Sequence, residues 1–362
     1  MNVAVLGAGG TIARAIVRDL AESEEVDELL LLDVDGARAA AVAAEHGGAR
    51  ARSAAVDARA GLATAIGGYG VLVNAASYRI NLVAMEAALE AGCDYLDLGG
   101  LYWMTARQLE LHERFQRAGR LAVLGMGSSP GKTNVMAARA VGELALGGDR
   151  VAEIRVAAAG RDPEPTDLLR APYALRTLLD ELEMKPVVLD GGEPRELAPC
   201  APGGLVRFPE PIGEVATIHT LHSELQTFGS SFDVQRASFR LSLTPALLER
   251  LEGLRGAAEA QVAAAQAAAA APSPSAISGH VVEAVGASSG RTVRVTAMTR
   301  PMRDWGLGGG IVSTAAPAAA FVRLLARARI RRVGVHPPER CVDPDDLFSE
   351  LQTRACVFEV TG

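Results

Sequence analysis

Cysteine and histidine are scarce in this chain of 362 residues, which has four of the former and six of the latter. The cysteines Cys93, Cys200, Cys341 and Cys356 are scattered and form no C-x-x-C pair. This spacing argues against a zinc site and against a disulfide framework, and it fits a reducing compartment. We therefore expect a cytoplasmic protein with no bound metal.

Excess positive charge and long hydrophobic runs are also missing. The net charge is −7, the pI is near 5.5, and no basic stripe interrupts the acidic surface, which excludes nucleic acid as an expected partner. No apolar run reaches the roughly 18–20 residues of a membrane span, so we expect no membrane association. Because the first strand is predicted to begin at residue 2, we expect no signal peptide.

What the chain does contain is a regular alternation of apolar strands and helices over its first 130 residues. Val/Leu/Ile runs such as Leu29–Leu32 and Val71–Val73 are typical of buried parallel strands joined by crossover helices. The length predicts two domains. After Gly131 the strands lack regular crossovers, which indicates a mixed sheet. The predicted fold class is α/β: a doubly wound parallel (Rossmann) sheet with a second α+β substrate domain.

The first turn has the composition of a dinucleotide-binding motif. Glycines there allow backbone N–H groups to approach a pyrophosphate at the positive end of a helix dipole. We expect the cofactor to contact Gly7, Gly9, Gly10, Thr11 and Ile12.

Asp33 ends the second strand and is placed to accept both hydroxyls of an adenosine ribose, which favours NAD over NADP. Arg38 would reduce the repulsion of a 2′-phosphate, so NADP remains the alternative cofactor. A second interpretation makes Asp33 a cap of the following helix.

Ligands of doubly wound sheets lie beyond the carboxyl ends of the strands. Further cofactor contacts are therefore expected after the third and fourth strands, at Asp57, Asn74, Ala75, Ala76 and Ser77. Asp57 is equally compatible with a plain turn. Tyr78 is a candidate hydrogen-bond donor to substrate, although surface packing of a loop tyrosine explains it as well.

Two more candidate groups follow the fifth and sixth strands. Asp97 closes an apolar strand, so it needs a partner; it would bind a substrate ammonium, act as an acid or base, or brace a loop. After the sixth strand, Pro130 and Gly131 set a turn before a helix whose free N–H groups would bind a substrate carboxylate. Asn134 belongs to the same candidate site.

His219 and His222 lie close together in the second domain, but a third convincing metal ligand is missing. A histidine is suited to take a proton from a substrate ammonium, and His219 is the first choice for that base. The alternatives are His222 as the base, or a strand-end histidine whose ring is satisfied by the backbone.

Several segments together resemble the saccharopine dehydrogenase-like oxidoreductases, and among them the lysine 6-dehydrogenase branch. The segments are Gly7–Gly9 with Asp33–Asp35, Val71–Ala75, Tyr95–Gly100, Leu111–Arg114, Ser129–Gly131 with Asn134, and Gly334–Glu339. The family places an arginine, flanked by aromatic residues and glycine, on a substrate-domain strand. Here Phe239–Leu243 keeps Arg240 and loses the rest, so the resemblance implies a carboxylate-binding role for Arg240 but not the substrate's identity.

The resemblance also implies that the chain returns to its first domain through Thr314–Ala328, after the glycine-rich Gly306–Gly310. We therefore expect residues 1–130 and about 306–362 to form the dinucleotide-binding domain. Residues 131–305 would form a substrate and dimerisation domain of a homodimer.

The function that follows is an NAD-dependent oxidoreductase acting on a C–N bond of an amino acid or amine, by lysine 6-dehydrogenase-like oxidative deamination. In this scheme His219 is the base, Asp97 orients the nitrogen and Arg240 holds a carboxylate. Two alternatives remain: a saccharopine- or opine-type reductase that joins an amine to a carbonyl with NADPH, and a non-catalytic nucleotide-sensing protein.

Overall fold

A computed structural model describes residues 1–164, 166 and 168–362, and these residues divide into two compact units. The first unit consists of residues 1–135 and 314–351, and the second of residues 136–313 and 352–362. The last segment differs from the predicted boundaries, because residues 306–313 and 352–362 lie in the second unit.

Strands and helices alternate through the first part of the first unit. In chain order they are β1 (Asn2–Leu6), α1 (Thr11–Ala21), β2 (Glu28–Asp33), α2 (Gly36–His46), β3 (Ala51–Ala55), α3 (Leu62–Ala65), β4 (Val71–Asn74), α4 (Asn81–Ala91), β5 (Asp94–Asp97), α5 (Leu101–Leu109), α6 (His112–Arg117) and β6 (Leu121–Val123). These strands pair in parallel in the order β6-β5-β4-β1-β2-β3, and all but the edge strand β3 are largely buried. The strand order reverses between β4 and β1, so the switch point of the sheet lies between the carboxyl ends of these two neighbouring strands.

The second unit is built on a mixed sheet. Its elements up to residue 299 are α7 (Lys132–Leu146, which begins in the first unit), β7 (Val151–Arg161), α8 (Leu175–Glu183), β8 (Val187–Asp190), β9 (Glu193–Glu196), β10 (Pro202–Arg207), β11 (Glu214–His219), α9 (Glu224–Phe232), β12 (Arg236–Leu241), α10 (Pro245–Glu252), α11 (Glu259–Ala268), β13 (Ile277–Gly286) and β14 (Thr292–Thr299). Strand β12 pairs in parallel with β7, and the long pairings of β7 with β13 and of β13 with β14 are antiparallel. The predicted fold class, a doubly wound parallel sheet with a second mixed sheet, is confirmed.

The chain then returns to the first unit and leaves it again. The elements are α12 (Gly309–Ala326), β15 (Gly334–His336), α13 (Pro344–Gln352) and β16 (Cys356–Thr361). Strand β15 pairs in parallel with β6 and becomes the seventh strand of the first sheet. Strand β16 pairs along its whole length with β14, and this pairing is why the end of the chain lies in the second unit.

A buried arginine fastens the returning helix to the first unit. The Arg323 guanidinium donates to Asp19 Oδ1 at 2.7 Å, to Ser23 Oγ at 3.1 Å and to Glu350 Oε2 at 2.6 Å. The side chains of Arg323 and Asp19 are 4% and 0% exposed, so this ion pair is shielded from water. It joins α12 to both α1 and α13.

Helix α12 also bears on the expected absence of a membrane span. Its 18 residues are long and apolar enough to cross a membrane by length and composition, so the expectation that no apolar stretch reaches that length is wrong. Because 78% of this stretch is buried inside the protein, α12 has the environment of a core helix, which passes the same test.

Candidate functional site

The turn after β1 is closely packed and requires its glycines. Gly7 has a φ of +76°, and a Cβ there would lie 2.7 Å from the Ala76 Cα. A Cβ on Gly9 would lie 2.9 Å from the Arg38 Cβ. Larger residues at either position would push apart the segments that border the turn.

The N-terminus of α1 follows this turn directly. Its N-cap residue is Gly10, which has no side chain to accept a hydrogen bond from the first turn of the helix. The leading N–H groups, beginning with Thr11 and Ile12, therefore retain their capacity to bind an anion, assisted by the helix dipole. A cofactor pyrophosphate fits this arrangement of glycines and helix start.

Asp33 is held in place beside this turn. Its Oδ2 accepts a hydrogen bond from the Gly9 N–H at 2.9 Å, and its Oδ1 accepts one from the Asp35 N–H at 3.0 Å. The cap of α2 is Asp35, so the alternative that Asp33 caps this helix is wrong. Arg38 donates to the Gly9 carbonyl at 2.9 Å, so its guanidinium and the Asp33 carboxylate both bond to Gly9.

Three of the predicted contact residues take part in local structure. Asp57 accepts a hydrogen bond from the Arg59 N–H at 2.9 Å and forms a turn, as its second interpretation predicted. Exposed Ser77 accepts from the Arg79 N–H at 3.4 Å. The Arg79 guanidinium lies 5.9 Å from the ring centre of partly exposed Tyr78. These contacts give Asp57 and Ser77 structural roles.

The segment after β4 is tied to its surroundings from several sides. The Ala75 N–H donates to the Leu6 carbonyl at 2.9 Å, and the Ala76 N–H donates to Asn74 Oδ1 at 3.2 Å. Buried Asn74 in turn donates from Nδ2 to Asn81 Oδ1 at 2.9 Å. Asn74 is therefore a brace for the predicted cofactor loop, and its carboxamide is already occupied by protein groups.

Asp97 is completely enclosed by hydrogen-bond donors. Its two oxygens accept from Gly125 N (2.7 Å), Gly99 N (2.9 Å), Gln108 Nε2 (2.6 Å), Tyr95 Oη (2.9 Å) and Asn81 Nδ2 (3.0 Å). Burial raises the pKa of Asp97, while these donors act in the opposite direction. Five protein donors leave no lone pair for a substrate ammonium. The predicted role of Asp97 as a nitrogen ligand is therefore corrected to the loop-bracing alternative.

The backbone N–H groups of the loop that follows β6 are likewise already hydrogen-bonded to protein acceptors. The N–H of Gly131 donates to Asn134 Oδ1 at 2.8 Å, and those of Lys132 and Thr133 donate to the carbonyls of Gly127 and Ser128. The start of α7 thus has no free N–H groups at these positions for a substrate carboxylate, contrary to the prediction for Pro130, Gly131 and Asn134. Glu339, from the Gly334–Glu339 segment, accepts from Asn134 Nδ2 at 2.8 Å and braces the same loop.

His219 lies at the end of β11 in the second unit. Its Nδ1 is 3.1 Å from the Phe239 carbonyl, which fixes the tautomer in which Nδ1 carries the proton. Burial lowers the pKa of His219, with the Phe239 carbonyl opposing this shift. The imidazole is therefore neutral at pH 7 and keeps a basic lone pair on Nε2.

Arg240 is the direct cross-strand neighbour of His219 in the pairing of β11 with β12. Its Nη1 donates to the Gly203 carbonyl at 3.3 Å, and its buried Nε has no hydrogen-bond partner. A Cβ on Gly203 would lie 3.0 Å from the Arg240 Cγ, so this glycine makes room for the arginine. A base and an unsaturated cation thus share one face of the second sheet.

His222 differs from His219 in almost every respect. It is buried, its Nδ1 contacts Glu224 Oε2, and its ring stacks on Phe239 with centroids 3.5 Å apart. This enclosure removes it as the alternative base. In the part of the chain that the structure describes, no group of three metal-ligating side chains occurs.

Sequence analysis missed Asn81 and Gln108, the two helical residues that donate to Asp97. They carry no recognisable signal in a single sequence, since isolated polar residues in helices are usually exposed. They become buried because α4 and α5 pack against the sheet, which a single sequence does not reveal.

Comparisons with known proteins agree with this geometry. Residues 3–123 match the family model of the saccharopine dehydrogenase NADP binding domain. A carboxyaminopropylagmatine dehydrogenase from Synechocystis is 32% identical over 154 residues, which cover 39% of this chain and 37% of that protein. The matched segment thus spans little more than a third of that relative's length.

A solved structure of saccharopine dehydrogenase (L-Glu forming) from Saccharomyces cerevisiae has the same fold over 100% of both chains, with a TM-score of 0.71 and 14% identity. The family match coincides with β1 to β6 and contains the glycine turn and Asp33. Residues 3–123 are therefore similar to the NADP binding domain of saccharopine dehydrogenases and form an NAD(P)-binding domain.

Proposed function

We propose that this protein is an NAD(P)-dependent oxidoreductase that acts on the C–N bond of an amine carrying a carboxylate. The observation that carries the proposal is the pairing of His219 with Arg240 on one sheet face, a neutral base beside a cation with an unused donor. The names of the two relatives, dehydrogenases of saccharopine and of carboxyaminopropylagmatine, support the substrate class.

In this proposal the bound nicotinamide supplies hydride transfer, and the protein orients the substrate and manages its proton. Nε2 of His219 removes a proton from the substrate ammonium, whose pKa is about 10.4 for a lysine-like amine. A neutral amine lone pair then assists departure of hydride from the carbon. Arg240 binds the substrate carboxylate through charge-assisted hydrogen bonds.

We propose NAD as the preferred cofactor. A fixed Asp33 carboxylate accepts from ribose hydroxyls and repels a 2′-phosphate, and its hydrogen bond with Gly9 keeps it from turning away. Arg38 beside it is a cation that a 2′-phosphate would use, so NADP is expected to bind measurably but less tightly.

The test is formation of reduced cofactor, followed by absorbance, with NAD or NADP and a panel of amino acids. Each amino acid is paired with its decarboxylated amine, so that the panel measures the contribution of the carboxylate. Lysine belongs in the panel because the family resemblance implies a lysine 6-dehydrogenase-like activity. Turnover of the amines but not of the amino acids would contradict the role of Arg240.

The base is tested with His219→Ala. We expect turnover to fall about 10²–10⁴-fold, with NADH binding unchanged and with partial recovery on addition of imidazole. In the wild type, kcat/KM should rise with pH through a pKa below 6.5, because burial lowers the pKa of His219. A variant with wild-type turnover would remove His219 from the mechanism.

The reverse reaction defines the second candidate, a reductase that joins an amine to a carbonyl compound with NADPH. The presence of Arg38 at the ribose position is the observation that favours it. Oxidation of NADPH that requires both an amine and a keto acid or aldehyde would select this function. Cofactor binding without turnover in either direction would favour the remaining alternative, a non-catalytic nucleotide-sensing protein.

A further inference from the structure

Three buried side chains form a continuous path from the end of β5 to the loop after β4. Asp97 Oδ2 accepts from Asn81 Nδ2 at 3.0 Å, Asn81 Oδ1 accepts from Asn74 Nδ2 at 2.9 Å, and Asn74 Oδ1 accepts from the Ala76 N–H at 3.2 Å. Each of the three side chains is about 1% exposed. We name this path the amide relay.

The relay has a direction, which Asp97 sets together with the Gly99 carbonyl, an acceptor of the same Asn81 Nδ2 at 3.2 Å. A carboxylate only accepts hydrogen bonds, so Asn81 must turn its NH₂ group towards Asp97. The Asn81 oxygen then faces Asn74, so Asn74 must donate a hydrogen bond to it from its own NH₂ group. The oxygen of Asn74 is thereby left for the Ala76 N–H, and neither carboxamide can flip without losing a hydrogen bond.

The far end of the relay lies at the switch point of the sheet. Ala76 packs against Gly7, where a Cβ would approach within 2.7 Å of the Ala76 Cα, and the neighbouring Ala75 N–H is bonded to the Leu6 carbonyl. The strands on the β1-β2-β3 side form one mononucleotide half of such folds, and β4 begins the other half. Loop 75–77 therefore borders the second half of a dinucleotide.

We propose that Asp97 is a positioning residue for the nicotinamide half of the cofactor, acting through Asn81 and Asn74 on loop 75–77. Asp97 does not touch the ligand; it determines which way two amides point and so holds the Ala76 N–H inward. The inference rests on the proposed function only for the identity of the cofactor, since its test measures binding.

The test compares NADH with ADP, each titrated into the purified full-length protein by calorimetry. ADP carries only the adenosine half and the pyrophosphate, which the turn after β1 and Asp33 bind. Asp97→Asn leaves the Gly99 carbonyl and Gln108 Oε1, both neutral acceptors, to hold the Asn81 NH₂ group, so part of the population flips its amides and loses the acceptor of the Ala76 N–H. We expect NADH to bind about 10-fold more weakly, the effect of one lost hydrogen bond, and ADP to change less than about 2-fold.

Gln108→Met is the matched control. Gln108 is as buried as Asp97, donates to the same oxygen at 2.6 Å and accepts from Asn81 Nδ2 at 3.3 Å, but the path from Asp97 through Asn81 and Asn74 to Ala76 does not pass through it. Its replacement should lower stability without weakening NADH binding. Equal weakening by Gln108→Met would show that Asp97 has a general structural role, and it would overturn the proposal.

A charge relocation provides the second variant. In Asp97→Asn/Asn74→Asp the carboxylate sits at the other end of the relay, where it accepts from the Ala76 N–H and from an Asn81 that flips at the loss of its hydrogen bond to the Gly99 carbonyl. We expect this double variant to recover NADH binding to within about 3-fold of the wild type. No recovery, or parallel weakening of ADP and NADH, would refute the relay. Tight NADH binding without turnover of any amine would instead refute the proposed function and leave the relay standing.

Discussion

The buried ion pair of Arg323 should contribute strongly to the stability of the first unit, and Arg323→Met tests it. The variant leaves Asp19, whose side chain is 0% exposed, and Glu350, 13% exposed, without their shared cation. Removing one partner of a buried pair typically costs about 3–5 kcal/mol, because the remaining charge is not solvated. That is a fifth or more of the roughly 5–15 kcal/mol by which domains are stable.

Arg327→Met is the matched control. Arg327 directly follows α12, four residues after Arg323, and pairs with Glu25 and the same Glu350, but its side chain is 44% exposed. Exposed pairs contribute about 0.2–1 kcal/mol, so this variant should lose far less stability.

The assay is urea unfolding followed by the fluorescence of Trp103, which lies in the first unit. Trp305, in the second unit, is replaced by Phe in every variant so that the signal reports one unit. Adding Asp19→Asn to Arg323→Met removes the stranded charge and should restore at least about 1 kcal/mol. Equal losses for the two arginine variants, or no restoration, would refute the assignment of this stability to a buried charge.

Two further predictions concern cofactor choice and pH. Asp33→Ser should weaken NAD binding by roughly 1.5–3 kcal/mol per lost ribose hydrogen bond and should improve NADP binding, with Arg38 in place; an unchanged preference in competition titrations would make the ribose assignment wrong. Burial raises the pKa of Glu181 from 4.5 to about 7, so its contribution to stability is complete below pH 4.5 and is lost as the pH rises through about 7. Burial opposes protonation of His222, but Glu224 raises its pKa, and its contribution is likewise lost at higher pH. The second unit, followed by Trp305 fluorescence, should therefore be less stable at pH 8 than at pH 5, and Glu181→Gln should reduce that difference where exposed Glu249→Gln does not.

The first sheet was predictable because its signals are local. Apolar runs, glycine turns and strand-end carboxylates recur at regular spacing, and each is decided by neighbours in sequence. Hence β1 to β6 and the position of Asp33 follow from the sequence. The segment between β5 and β6 forms two helices, α5 and α6, and no glycine in the sequence marks the break between them.

The candidate site was less predictable because it depends on how far each polar group is already satisfied. Asp97, Gly131 and Asn134 lie where the sequence analysis expected them, after the predicted strands. Their hydrogen bonds go to other protein groups, which come from distant segments such as Gln108 and Glu339. Sequence patterns place a residue near a sheet edge, but only packing shows whether its lone pairs and N–H groups are still available.

The seventh strand of the first sheet, β15, has a consequence for synthesis of the chain. Until residues 334–336 leave the ribosome, β6 lacks its outer neighbour and presents an unpaired edge. The intervening residues 136–313 form the second unit and can fold during that interval. Completion of the cofactor-binding unit must therefore follow translation beyond residue 336, and a nascent chain stalled before residue 334 would expose a template for aggregation rather than a finished nucleotide-binding domain.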